Sequence, residues 1–266
     1  MEVEGWLVLG IVFVFGLVYG SFLNVVVYRY DDWLSILSTR SHCRECKTNL
    51  GPLDLVPVFS YMFLGGKCRY CKKPIALQYP LVEVGTAILM TLGYNLIFNQ
   101  MEMSLLMGSL AFAFFIIAIG AMVAMMCHDL AEMMIPDSLS NILLVSAALF
   151  MVTAGMAKVG FYGALIGFVP IALLVYPSRG KWMGEGDVKL ATSLGLLAGF
   201  PGAILYMALS FILGGFVGSI LLITKKAKPK SAVPFGPFLI VGALVTIFFG
   251  ATIIEWYMNL IGYYYY

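Results

Sequence analysis

Apolar residues run almost without interruption through eight stretches of the chain, separated by short breaks except for one long polar gap after the first. The stretches cover about 5–28, 80–98, 104–127, 138–156, 160–177, 188–199, 203–224 and 236–257. A bilayer core of about 30 Å takes roughly 20 apolar residues in helical form. The pattern therefore predicts an all-α polytopic membrane protein with about eight transmembrane helices. The sixth stretch is short and Gly-rich, and is expected to tilt or to start in a re-entrant loop. The first is preceded by Glu2 and Glu4 instead of a basic segment, and no small-x-small cleavage site follows it. It is read as a retained helix and not as a signal peptide.

Composition strengthens this picture: 61% of the residues are hydrophobic and 11% charged, well outside the soluble range. Basic residues then orient the chain. With the N-terminus outside, the cytoplasmic segments are 29–79, 128–137, 178–189 and 225–235, and of the 16 Lys and Arg residues only Lys158 lies outside. The Lys-rich cluster at 225–230 reads as an inner anchor facing anionic lipid, and the tyrosines at 263–266 as an aromatic belt on the other side. A net charge of +2 gives no reason to expect a nucleic-acid partner.

One segment breaks the apolar rhythm. Residues 29–79 form a polar insert of about 50 residues, too small to fold easily on a hydrophobic core alone. It carries Cys43-Arg-Glu-Cys46 and Cys68-Arg-Tyr-Cys71, two C-x-x-C pairs separated by 21 residues. That is the spacing of a zinc ribbon, in which four thiolates close a structural tetrahedral site and metal binding supplies folding energy. Two disulfides or a redox use are the alternatives, and a cytoplasmic location disfavours them. His42 is expected to support the cluster or face solvent, and Cys127 to serve packing. Met122, Met125 and Met126 read as adaptable apolar filler, and Gly214, Gly215 and Gly218 as a surface for close helix approach.

Two acids stand where an apolar segment carries them at a cost. Asp129 closes the third stretch, and Asp187 ends Gly184-Glu-Gly-Asp187 just before the sixth. Ionisable groups at membrane segments are functional candidates, and the charge-derived topology places both on the cytoplasmic face. Two carboxylates that meet can share a proton and act as an aspartic protease dyad. Gly184 and Gly186 suit a tight turn and a close substrate strand. Asp137, after Ile135-Pro136, reads as a helix-start or supporting residue and is the rival for the first acid. Glu132 and Glu185 are expected to face solvent. His128 adjoins Asp129, but an aspartic mechanism needs no histidine.

Taken together, these elements resemble the bacterial type IV prepilin leader peptidase/N-methyltransferases over nearly the whole chain. The resemblance rests on Gly20-Ser-Phe-Leu-Asn24-Val with Arg29, both C-x-x-C pairs, and Gln78-Tyr-Pro80-Leu-Val-Glu83. It continues through Asp129 with Ile135-Pro136-Asp137, then Gly184-Glu-Gly-Asp187-Val-Lys-Leu, and Pro234-Phe-Gly-Pro237-Phe. His128 departs from the apolar residue expected at that position. The resemblance implies an intramembrane aspartic peptidase of the bacterial inner membrane, with Asp129 and Asp187 as catalytic acids. It implies removal of the leader of a prepilin or pseudopilin precursor after a glycine at the cytoplasmic face. It also implies methylation of the new N-terminus with S-adenosylmethionine. The intact cysteine pairs favour both activities in one chain.

No soluble nucleotide-binding glycine fingerprint occurs, so the methyltransferase candidates are polar residues near the inner face: Glu83, Asn24 and Arg29. The expected organisation is a first helix at 1–28, a four-cysteine domain associated with methyl transfer at 29–79, and a peptidase domain at 80–266. Two other readings compete. A presenilin-like protease would carry Tyr-Asp at the first acid and a late Pro-Ala-Leu, and this chain has neither. A transporter would carry repeated halves and mid-bilayer breaks, and none is visible. The sequence leaves the oligomeric state open.

Overall fold

A computed structural model describes residues 2–225 and 233–262. Lys226, Lys228 and Lys230 of the basic cluster and the tyrosines at 263–266 lie outside the described residues. Among the described residues the chain is almost wholly helical, with no strand and two isolated bridges, His42 to Asn49 and Lys67 to Pro74. It divides into two compact units, Met1–Asn95 and Leu96–Tyr266.

The first unit holds α1 (Glu2–Tyr28), α2 (Trp33–Ser38), a 3-10 turn (Pro52–Asp54), α3 (Phe59–Phe63) and α4 (Gln78–Tyr94). Here α1 packs along α4. The contact depends on small residues: a Cβ at Gly16 would stand 2.5 Å from the Ala87 Cα, and one at Gly20 would stand 2.7 Å from the Glu83 Cα. Absent side chains let the backbones close, as is common between membrane helices. The insert lies between these two helices in sequence. Asp32 caps α2, its side chain accepting from the Ser35 N–H at 3.3 Å.

A π turn over Asn95–Gln100 follows α4. The second unit then contains α5 (Leu105–Glu132), α6 (Asp137–Thr153), α7 (Ala157–Ser178), α8 (Glu185–Ala198), α9 (Gly202–Ile223) and α10 (Gly236–Leu260). Helix α8 is the hub and packs against α6, α7, α9 and α10. Its crossing with α7 is set by glycine: a Cβ at Gly163 would fall 2.2 Å from the Gly195 carbonyl oxygen, and one at Gly167 would fall 2.2 Å from that of Ala191. The Tyr206 hydroxyl donates to the same Ala191 oxygen at 2.7 Å, satisfying a buried phenol. Phe115, Ile119, Met122, Met125, Leu143, Ile171, Leu190 and Leu239 fill the interior.

All eight apolar stretches are helical. Among the described residues, six helices are long and apolar enough to cross a membrane: Gly5–Tyr28, Gln78–Gln100, Leu105–Glu132, Ala157–Ser178, Gly202–Ile223 and Gly236–Leu260. The stretches predicted at 138–156 and 188–199 form α6, of 17 residues, and α8, of 14, which are shorter than a full span. Large apolar side chains such as Phe168, Phe211, Ile212 and Phe216 point outward. Apolar cover on that scale suits lipid and not water, so this is an integral membrane protein.

Candidate active site and metal centre

Asp129 lies in the last turn of α5, which ends at Met133 in the left-handed conformation (φ 54°). Its side chain is buried, and its Oδ2 accepts a hydrogen bond from the backbone N–H of Gly236 at 2.9 Å. Gly236 is the first residue of α10. Asp187 occupies the first turn of α8 and is also buried. Its Oδ2 accepts from the Gly184 N–H at 3.1 Å, closing a reciprocal cap at the extended Gly184. Each carboxylate thus meets the positive end of a helix dipole, Asp187 at α8 and Asp129 at α10, where negative charge is favoured.

Ile135 ties the two together. A Cβ at Gly186 would come within 3.0 Å of the Ile135 Cβ, while a Cβ at Gly236 would stand 3.4 Å from the Ile135 Cδ1. The same hypothetical Gly236 Cβ would lie 2.6 Å from the Asp129 Oδ2. Asp187 is within electrostatic reach of Asp129, and among the described residues neither acid forms a salt bridge. Gly184 and Gly186 therefore sit as the supporting loop of one acid, and Gly236 holds the other. The second glycine was not among the sequence candidates; its contact with Asp129 spans 107 residues of chain.

Asp137 is built differently. It begins α6, its side chain is 72% exposed, and its Oδ1 accepts from the Lys189 Nζ at 2.7 Å. Burial and the shared Ile135 neighbourhood belong to Asp129, not to Asp137. Glu132 and Glu185 are exposed, and His128 is buried next to Asp129 in the chain.

In the first unit, Cys43, Cys46, Cys68 and Cys71 come together, their Sγ atoms all within 4.8 Å of one another. No disulfide joins them. Each pair is a knuckle of the same design. The Cys43 N–H donates to the Thr48 carbonyl at 3.0 Å and the Cys68 N–H to that of Lys73 at 2.9 Å. The residue after each second cysteine, Lys47 or Lys72, turns the chain at φ 58° or 59°. Four thiolates about 2.3 Å from a zinc ion stand roughly 3.8 Å apart, and the Cys43 and Cys71 sulfurs are 3.8 Å apart. Hydrogen bonds from Thr48 bring the Cys46 thiol down to about 6. At Cys71 the Lys73 N–H favours ionisation, but burial and the three neighbouring sulfurs outweigh it and push this thiol up to about 11. Four such groups cannot all ionise side by side without a cation, which a dication supplies. The donor set fits zinc.

Behind the knuckles is a cavity of about 300 Å³, lined in part by Asn24, Tyr28, Arg29, Arg44, Tyr79 and Glu83. The three methyltransferase candidates thus share one space, and all three are buried. Asn24 donates to the Gly20 and Tyr79 carbonyls at 3.3 and 3.2 Å, bracing α1 on α4. Arg29 donates to the Ser35, Thr39 and Arg40 carbonyls at 2.6, 2.9 and 3.0 Å and to the Thr39 hydroxyl, covering the C-terminal end of α2. Glu83 accepts from the Val58 N–H at 2.8 Å. Arg44, from the first knuckle, lies over the ring of Tyr28 at 4.0 Å and that of Tyr79 at 5.4 Å. Arg44 and the two tyrosines were not singled out in the sequence, since nothing local marks rings 51 positions apart as two walls of one space.

Comparison with known proteins adds two family matches. Residues 14–97 match the bacterial Peptidase A24 N-terminal domain, and residues 116–219 match the Type IV leader peptidase family. The chain is similar to the prepilin leader peptidase/N-methyltransferase of Aeromonas hydrophila, 30% identical over 284 residues, covering 96% of this chain and 95% of the relative. It is similar to that of Bacillus subtilis, 28% identical over 254 residues, covering 95% of this chain and 98% of the relative. That of Legionella pneumophila is 28% identical over 284 residues, covering 96% of each. No solved structure matches the chain.

Proposed function

We propose, from the premise that the chain belongs to the Type IV leader peptidase family, that it cleaves prepilin or pseudopilin leaders with Asp129 and Asp187 and then methylates the new N-terminus. The observation that carries the first step is two buried carboxylates, from α5 and α8, within electrostatic reach of each other, each held by a backbone N–H and, among the described residues, neither in a salt bridge. Like charges so placed share a proton. The ionised carboxylate takes a proton from water, and the oxygen attacks the scissile carbonyl carbon. The protonated carboxyl polarises that carbonyl. The C–N bond then breaks, with the proton passing to the departing amine. Gly184 and Gly186 leave two positions of the loop before Asp187 without side chains, so an extended leader can lie close to it.

The second step belongs to the cavity of the first unit, which takes S-adenosylmethionine and the new amine. Asn24, Arg29 and Glu83 are its buried polar groups, so the 29–79 insert serves methyl transfer together with the flanking α1 and α4, and the second unit serves cleavage. Cys43, Cys46, Cys68 and Cys71 hold a structural zinc ion, whose binding supplies folding energy to the insert. A prepilin carries a polar basic leader before an apolar helix. A site at the inner membrane face, with the N-terminus outside, meets that junction, and anionic lipid faces the basic segments. Asp137 acts in support, through Lys189.

Mass spectrometry of a prepilin incubated with the full-length protein, with and without S-adenosylmethionine, tests the reading. Leader loss in both cases, with a single methyl gained only with the donor, is expected. Asp129→Asn and Asp187→Asn should each reduce cleavage at least a thousandfold while leaving a folded protein. A wild-type rate in either removes that residue from the dyad.

A further inference from the structure

The feature that the packing of the first unit does not account for is Glu83. It sits in the apolar helix α4 with 7% of its surface exposed, and it borders the cavity. No basic side chain pairs with it among the described residues. Its partners are neutral: the Val58 N–H at 2.8 Å and the Ser21 hydroxyl. A buried carboxylate without a cation is costly.

The backbone that holds it is itself strained. Val58 has φ 62° and ψ −51°, a conformation that a β-branched residue rarely adopts. The Phe59 N–H donates to the Pro57 carbonyl at 2.6 Å across it, the bond of a tight three-residue turn. Such a turn is strained and persists only where its surroundings impose it. Here it aims the Val58 N–H at Glu83. Oriented carboxylates next to strained loops are a mark of chemical sites.

Tyr28 and Tyr79 line the same cavity with the Arg44 guanidinium across their faces, so this wall already accommodates a cation. A peptide α-amine titrates near 7.7–8.0, so at neutral pH most of it is ammonium with no lone pair to give. We propose that Glu83 is the carboxylate that receives the acceptor's N-terminal ammonium and takes its proton for methyl transfer. This rests on the assignment of methyl transfer to this cavity. One N–H proton passes to a Glu83 oxygen. The freed nitrogen lone pair attacks the methyl carbon of a sulfonium donor. The N–C bond forms as the C–S bond breaks, its electron pair returns to sulfur, and the product leaves as a methylated ammonium with a neutral thioether.

The test is Glu83→Gln in the full-length protein, assayed on a synthetic prepilin-type peptide that begins at the residue exposed by cleavage, so that no cleavage is needed. Glutamine keeps a carbonyl oxygen for the Val58 N–H but accepts no proton. The turnover number for methyl transfer should fall by about 10² or more, while calorimetric affinity for S-adenosylhomocysteine stays within twofold. Glu83→Ala should recover part of its rate with added formate. Unchanged turnover in E83Q overturns the proposal. So does loss of S-adenosylhomocysteine binding in E83Q, which would make Glu83 a donor-binding residue. If the wild-type protein neither methylates the peptide nor binds S-adenosylhomocysteine, the assignment of methyl transfer fails and the proposal with it.

Discussion

Gly236→Ala adds one methyl group where the structure leaves no room for it. The new Cβ would lie 2.6 Å from the Asp129 Oδ2 and 3.3 Å from its Cγ, while ordinary contact begins at 3.4 Å. The carboxylate oxygen must recede by about 0.8 Å (3.4 minus 2.6), since the Cβ is fixed to the first turn of α10. Gly236 does not have a positive φ, so alanine brings no backbone strain of its own. The loss therefore falls on the geometry of the acid and on its hydrogen bond from the Gly236 N–H. A displacement near 1 Å in a catalytic group costs up to about 10²-fold, or roughly 2.7 kcal/mol in barrier. Initial rates of leader loss, measured on purified protein by gel shift or mass spectrometry, should fall by 10- to 100-fold in G236A. The thermal midpoint should change little. Gly215→Ala, where nothing lies within 4 Å of the new Cβ, is the matched control and should cleave at the wild-type rate. A folded G236A with wild-type kinetics would refute the view that α10 positions Asp129.

Gly163→Ala should act on stability instead, because its Cβ would fall 2.2 Å from a backbone oxygen of α8, which cannot swing aside. A loss of about 1–3 kcal/mol is expected, read as a lower thermal midpoint in detergent; an unchanged midpoint would mean that α7 and α8 can part without cost. Cys43→Ser and Cys71→Ser should each lower zinc content by elemental analysis and make 29–79 sensitive to protease, and full retention of one zinc per chain would overturn the thiolate site. Exchange of Lys189 for Ala frees Asp137, but both side chains are half-exposed or more. Such a pair is worth at most about 1 kcal/mol, so cleavage should drop less than tenfold, and abolition would give Asp137 a larger part than support.

Legibility from the sequence followed cost. Asp129, Asp187 and the four cysteines were visible because each is expensive or unusual where it stands, and they are visible without any knowledge of packing. Asp137 read as a supporting residue but stayed the rival of Asp129 in one dimension; the fold buries Asp129 and leaves Asp137 exposed against Lys189. The partner of Asp129 could not be read at all, since a backbone N–H at Gly236 leaves no chemical signature in a sequence. The cavity was half legible: Asn24, Arg29 and Glu83 stood out singly, but their convergence depends on α1 closing on α4 at Gly16 and Gly20. The count of about eight spans rested on polarity alone; length separates α6 and α8, apolar but shorter, from the other six.

The brevity of α8 bears on how hydrolysis is supplied. Fourteen residues rise about 21 Å, some 9 Å less than a hydrocarbon core of about 30 Å. This helix is enclosed by α6, α7, α9 and α10, three of which are longer by 8 residues or more than its 14. Asp187 stands in the first turn of this short helix, among longer neighbours. The roughly 9 Å by which α8 falls short of a hydrocarbon core is space that protein or water, not lipid, must fill, because four helices pack around it.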